Sequence, residues 1–150
     1  MAGAALSEGG LPSFLDPVQK IAMVSTIDVG RTAAVLLCED WTGRRMVEIA
    51  GPQDWSAGDV AAAFAQALGR PVVPALVPPE RRAALLAEEG VPGAVASALI
   101  DMYDGIAKGL FLHEAGTEHR RGTIPLSTAV ERIVARLPAA FRGANPSGSQ

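Results

Sequence analysis

Four sets of side chains in this 150-residue sequence are of types that do chemistry. The first is the glycine pattern "GVPGAVA", in which Gly90, Gly93 and Ala96 imitate the turn that cradles a dinucleotide pyrophosphate. That turn works only when a strand runs into the glycines, so that the phosphates meet the first free amides of a helix. Here the preceding segment, "RRAALLAEE", has helical character, and the glycines are expected to join two helices. The second set is Tyr103 with Lys108, types that can give a tyrosine of lowered pKa for proton transfer. Such a pair shares a helix face at a spacing of four. These two are five residues apart, about 140° around a helix of 3.6 residues per turn, so the pair fails. The third is His113 and His119 with Glu114 and Glu118. They are metal-ligand types, but a loop between them fixes no coordination geometry, and a surface loop without metal is expected. The fourth is Cys38, at the C-terminal end of a helical pattern, where the helix dipole disfavours a thiolate. It reads as a small packing residue. No G-x-S-x-G elbow and no P-loop occurs, so no catalytic residue and no metal ligand is assigned.

The elements that would position such groups follow from composition and punctuation. The length suits one domain with a real core. Apolar residues make up 49% of the chain and the net charge is -3, which separates it from disordered sequences. The mild negative charge leaves no basic stripe to neutralise phosphates, which argues against nucleic acid. Arg44-Arg45, Arg81-Arg82 and Arg120-Arg121 read as isolated, solvated pairs. No apolar run reaches the length of a membrane span, Met1 to Pro12 lacks the pattern of a signal peptide, and the single cysteine excludes an internal disulfide. A cytoplasmic protein without membrane contact is expected.

Residues 1–19 read as a flexible lead and loop, and Lys20 to Ser25 as a short extended segment. Thr26 or Asp28 is expected to cap the helix that continues to Cys38. "RRMVEIAGP" reads as a strand stopped by Gly51-Pro52. Ser56 and Asp59 form a capping-box pattern for a helix with Val60, Phe64, Ala67 and Leu68 on one face. Gly69 and Pro71 end that helix. "PVVPALVP" is a second strand, and Pro74 assigns it to an edge or bulge. The second half reads as mostly helical. One helix runs from Pro79 to Gly90, and another carries the stripe Val95, Leu99, Met102, Tyr103, Ile106 and Leu110 as core. A last helix starts at Thr123 to Pro125, turns Val130, Ile133, Val134 and Leu137 inward and stops before Pro138. Residues 138–150 read as a disordered tail. The expected class is α/β with two or three short strands and about five helices.

Four stretches taken in order, "GLPSFLDP", "KIAMVSTIDVGRTAAVLL", "VEIAGPQDWSAGDVAAAFAQALGRPV" and "EHRRGTIPL", resemble the carboxy-terminal half of NmrA-like proteins. These are atypical short-chain dehydrogenase relatives that bind NAD(P). The resemblance runs from Gly10 to about Leu137, and its most specific pieces are Asp28 with Gly30 at a helix start, Gly51-Pro52 after a strand, and the "LGRP" stop. It implies a partial Rossmann-type domain over residues 20–137, the substrate-side half, with Asp28, Gly30, Gly51 and Pro52 in structural roles. In that family an amino-terminal half brings the glycine-rich loop and most cofactor contacts. This sequence shows no counterpart of it, so no cofactor-binding residue is assigned and NAD(P) is implied only for complete members. The resemblance further implies that Phe14 and Leu15 of the "SFL" loop line the substrate pocket and that Glu118 to Gly122 lies on the cleft side. Ile124 stands where the family usually offers a capping hydroxyl, so the cap is expected from Thr123. The implied function is the substrate-side portion of an NAD(P)-dependent oxidoreductase or redox sensor, not catalytic alone. The alternative is a stand-alone, non-catalytic interaction or regulatory module. Self-association or a nucleotide-binding partner chain is expected, because a parallel strand without its neighbours leaves an open edge.

Overall fold

A computed structural model describes residues 9–110 and 115–138. The residue 1–8 part of the lead, His113 and Glu114, and the tail from residue 139 lie outside the described residues. In chain order the elements are β1 (Gly10–Ser13), β2 (Ile21–Ala22), α1 (Thr26–Leu37), β3 (Val47–Ala50), β4 (Asp54–Trp55), α2 (Ala57–Leu68), β5 (Val73–Leu76), α3 (Pro79–Glu88), α4 (Gly93–Ala107), β6 (Glu118–Arg121) and α5 (Leu126–Arg136). The fold is α/β with five helices and short strands among the described residues.

Local chemistry sets the helix ends. In α2 the Ser56 hydroxyl accepts the Asp59 amide while the Asp59 carboxylate accepts the Ser56 amide, a complete capping box. The helix stops at Gly69, whose φ of 65° is the left-handed cap that glycine adopts without penalty. Pro79 opens α3, and the Gly90–Pro92 stretch carries the chain from α3 into α4. The glycines of "GVPGAVA" therefore lie between two helices, as the helical character before them requires. For α1 the cap is Ser25, whose hydroxyl accepts the Ile27 amide, and not Thr26 or Asp28. Asp28 has turned away from its own helix start towards α5.

The strands form three two-stranded pairs: β1 with β5 and β3 with β6, both parallel, and β2 with β4, antiparallel. Among the described residues the strands number six, each of two to four residues, within the expected α/β class of short strands and about five helices. The segment Gly10–Ser13, read as lead and loop, is a strand because β5 offers it a parallel partner. Val73 donates to the Gly9 carbonyl at 2.9 Å and Val77 to the Ser13 carbonyl at 2.8 Å. Strand β6 is the charged sequence "EHRR", and pairing with β3, not apolar alternation, makes it a strand. Pro74 sits in a strand with a single partner, where a missing amide is tolerated.

Two apolar clusters hold the elements together. Ala61, Phe64 and Leu68 of α2 pack with Val130 and Val134 of α5 and with Val72. Phe14, Leu86 and Ala96 form the second, joined by Leu85, Leu99, Ile100 and Tyr103. Three expectations about packing are corrected. Ile133 is exposed, at the edge of the α5 stripe centred on Val130 and Val134. Val95, Met102 and Leu110 are exposed as well. Helix α4 is covered along the Ala96–Ile100–Tyr103 line, and Val95 and Met102 lie about 100° round from it. Cys38 is exposed instead of packed, because α1 ends at the surface.

Candidate functional site

Beyond β1 the chain makes a tight local turn. The Ser13 hydroxyl donates to the Leu15 carbonyl at 2.8 Å and accepts the Leu15 amide at 3.1 Å. This turn drives Phe14 and Leu15 inward, to 7% and 5% exposure. The Phe14 ring meets Tyr103 of α4 edge to face, with centroids 5.3 Å apart and planes at 75°. Above the same ring sits the Arg82 guanidinium, 5.2 Å from its centroid. Phe14, Leu15, Ile21, Met23, Leu99 and Tyr103 line one cavity of about 420 Å³. That volume lies within the range of small-molecule sites. No charged side chain lines it; Ser13 and Tyr103 bring the polar atoms. The arrangement can bind a neutral, largely apolar molecule. It offers no base: Lys108 caps the far end of α4, a turn beyond Tyr103 and exposed.

Asp28 is the buried residue of α1, at 4% exposure. One carboxylate oxygen accepts the Thr123 amide at 3.1 Å and the Ile124 amide at 2.9 Å. A side chain at Gly122 would collide with that carboxylate, which is why the strand-to-helix turn needs glycine there. The cap expected from Thr123 is therefore replaced. Helix α5 has no side-chain cap of its own, and Asp28 serves the amides just before it. Gly51 also requires its lack of a side chain, since a Cβ would overlap the Met23 carbonyl, and its own carbonyl accepts from Arg121 at 3.0 Å. Around Gly30 there is open space, so no close approach explains the glycine. Pro52 is exposed beside a shallow polar depression with Lys20, Gln53, Asp54 and Arg121.

Strand β6 carries an ion-pair network on one face and a histidine beside a glutamate on the other. Arg45 donates to Glu118 at 2.6 and 3.0 Å and pairs with Glu39, while Arg120 bridges the same two carboxylates and reaches Glu39 at 3.0 Å. Hydrogen bonds from Arg45, then Arg120, hold both carboxyls below their ordinary range. In return Glu118, then Glu39, raises both guanidinium pKa values. Arg45 and Arg120 are thus tied into a four-residue cluster, not merely solvated. His119 alternates to the other face, 3.5 Å from Glu48. It sits on a strand, not in the loop expected, and among the described residues no group of three or more ligand types could hold a metal.

Sequence reasoning missed Arg82, taken as half of a solvated pair. It is 93% buried by its 7% exposure and sits behind the Phe14 wall. A signal was available: Arg82 precedes the fully buried Leu86 by four residues, which puts both on one face of α3.

No protein-family model matches the chain, and no curated protein matches it. Solved structures do. The Citrobacter sp. triphenylmethane reductase complexed with NADP(H) is 21% identical with a TM-score of 0.68, over 86% of this chain and 46% of that one. A second structure of that reductase is 20% identical with a TM-score of 0.67. The NADPH-dependent quinone oxidoreductase of Escherichia coli is 25% identical with a TM-score of 0.68, over 87% of this chain and 48% of that one. The chain spans about half the length of the solved structures it matches, and over that half it has the α/β fold of NADP(H)-dependent reductases.

Proposed function

We propose that this chain is the substrate-side portion of an NAD(P)H-dependent reductase of the NmrA-like kind, and that the cavity behind Phe14 and Leu15 seats its substrate. The observation that carries the reading is the apolar cavity of about 420 Å³, built on the two residues that the NmrA-like resemblance assigns to the substrate pocket. The solved proteins with this fold are a triphenylmethane reductase and a quinone oxidoreductase. A neutral, largely apolar acceptor of that general kind suits a cavity without charged walls. In this portion the chain's own residues bind the acceptor, orient it against Phe14 and Tyr103 and keep water away from it.

The described residues do not fit the cofactor's pyrophosphate. Gly90 and Gly93 join helix to helix. At Gly122, where a strand does lead through glycine into a helix, the Thr123 and Ile124 amides are taken by Asp28. A carboxylate already fills the glycine turn before α5, where a phosphate would have to sit. The nicotinamide nucleotide would therefore be held by a nucleotide-binding portion, and helix α1 with the open edges of the β3–β6 pair is the surface that portion would cover. Val29, Ala33, Leu36 and Leu37 recur at helical spacing on α1, and none is buried. Parallel strands are ordinarily covered on both faces and continued at their edges, and β3–β6 has one partner each.

Titration of the chain with NADPH and with a neutral apolar fluorophore, N-phenyl-1-naphthylamine, tests the proposal. The expected result is saturable fluorophore binding, lost in Leu99→Glu, with no NADPH binding at micromolar concentrations. Micromolar NADPH binding by this chain would overturn the assignment of the cofactor to another portion.

A further inference from the structure

We infer that Arg82 is a positioning residue for the cavity: through Phe14 it fixes the wall that decides how a ligand is held. The inference deepens the reading of the cavity as a substrate seat and rests on it. Three segments converge on one guanidinium. Its Nη2 donates to the Phe14 carbonyl at 3.0 Å, its Nη1 to the Asp104 carboxylate of α4 at 2.7 Å, and its Nε to the Val77 carbonyl at 3.3 Å. The same planar group lies over the Phe14 ring, so it holds both the backbone and the side chain of one residue. Leu15 follows, because the Ser13 hydroxyl bonds it on both its amide and its carbonyl. Ser13 itself is anchored by the Val77 amide. Loop backbone otherwise has few partners, and a loop wall left unbraced would move. Here it is braced from behind, on the side away from the cavity.

Burial makes the arrangement informative. Arg82 is buried, whereas its partner Asp104 has 45% of its side chain exposed. A salt bridge meant only to join α3 to α4 could form at the surface. Placing the cation inside, over an aromatic ring and against two carbonyls, costs desolvation that the loop contacts offset. A lysine cannot reproduce this. Its ammonium is a point charge with no planar face and cannot direct donors along three fixed directions.

The test uses the whole chain with Arg82→Lys, Asp104→Asn and, as an exposed control, Arg81→Lys. Backbone order parameters at Phe14 and Leu15 are measured alongside the affinity for N-phenyl-1-naphthylamine and the melting temperature. In Arg82→Lys the order parameters at these two amides should fall from the rigid range near ~0.85 towards ~0.6. Probe affinity should weaken roughly tenfold, within what misplacement of about an ångström costs a positioned site. Asp104→Asn should move both readouts in the same direction by less, and it decides the matter if Arg82→Lys does not fold. Arg81→Lys should change neither. Wall amides as rigid as the original with unchanged affinity, or a lowered melting temperature alone, would overturn the inference. If the unsubstituted chain does not bind the probe, the substrate-seat reading fails, while the order parameters still decide whether Arg82 holds the wall.

Discussion

Helices α1 and α2 are each twelve residues long and each opened by a serine hydroxyl, yet they occupy opposite surroundings. Helix α2 buries Ala61, Phe64 and Leu68 against α5 and Val72, and Ala57 at the cavity. Helix α1 buries Asp28 and nothing apolar, and its last residue, Leu37, is 85% exposed. Composition does not explain the contrast, because both helices are apolar over most of their length. Location does. The α2 side of the molecule also holds the second cluster and the cavity, and it closes on itself. The α1 side holds the β3–β6 pair and its ion cluster, and among the described residues nothing covers its helix face or continues its strand edges. A helix held by a polar anchor at one end, with its apolar stripe uncovered among the described residues, is the surface that the proposed nucleotide-binding portion would cover.

The largest expected effect lies on the closed side. Phe64→Ala should destabilise the chain by about 3–5 kcal/mol in urea unfolding, because it empties the centre of the α2–α5 cluster. A loss near zero would mean that this side is as loosely packed as the other. Next comes the anchor of the open side. Asp28→Ala should cost about 2–3 kcal/mol by removing the acceptor of two backbone amides, one of them buried. Asp28→Asn, which keeps an acceptor oxygen, should cost less.

The ion cluster gives a smaller, pH-dependent difference. Glu39 and Glu118 have carboxyl pKa values lowered in the fold, so their contribution is fully present above the ordinary value of 4.5 and is lost as pH falls through the lowered values. Melting temperature measured from pH 7 downwards should therefore hold until that window and then fall, and the fall should be shallower in Glu39→Gln with Glu118→Gln. High salt should mimic part of the loss, since the cluster is half-exposed. The smallest effect is expected at Leu37→Ala on α1, within about 0.5 kcal/mol, as for surface positions with no partner. A cost of 2 kcal/mol or more at Leu37 would show that the α1 face is covered within this chain.

Local signals were legible in the sequence where the chain itself carries the chemistry. The Ser56–Asp59 box, the Gly69 cap, the Pro79 start and the helix-to-helix role of Gly90 and Gly93 each depend on residues within a few positions of one another. What depends on distant partners was not legible. Strand β6 is charged and becomes a strand only opposite β3; β1 lies in a stretch read as lead and finds its partner some sixty residues on. Asp28 carries the signature of a helix cap, and its acceptor oxygen is equally suited to amides almost a hundred residues away. The Phe14 and Leu15 assignment came from family resemblance, and the structure brings both to the cavity. Arg82 was passed over because a pair of arginines on a helix looks the same from the sequence whether one of them faces the core or neither does.

Sedimentation velocity of the isolated chain over a wide concentration range tests most directly the claim that the α1 side is built to be covered. Concentration-dependent association is expected, reduced by Val29→Glu with Leu37→Glu and without a change in melting temperature beyond that of exposed sites. A single monomeric species at every concentration, for both the original chain and the double variant, would contradict it.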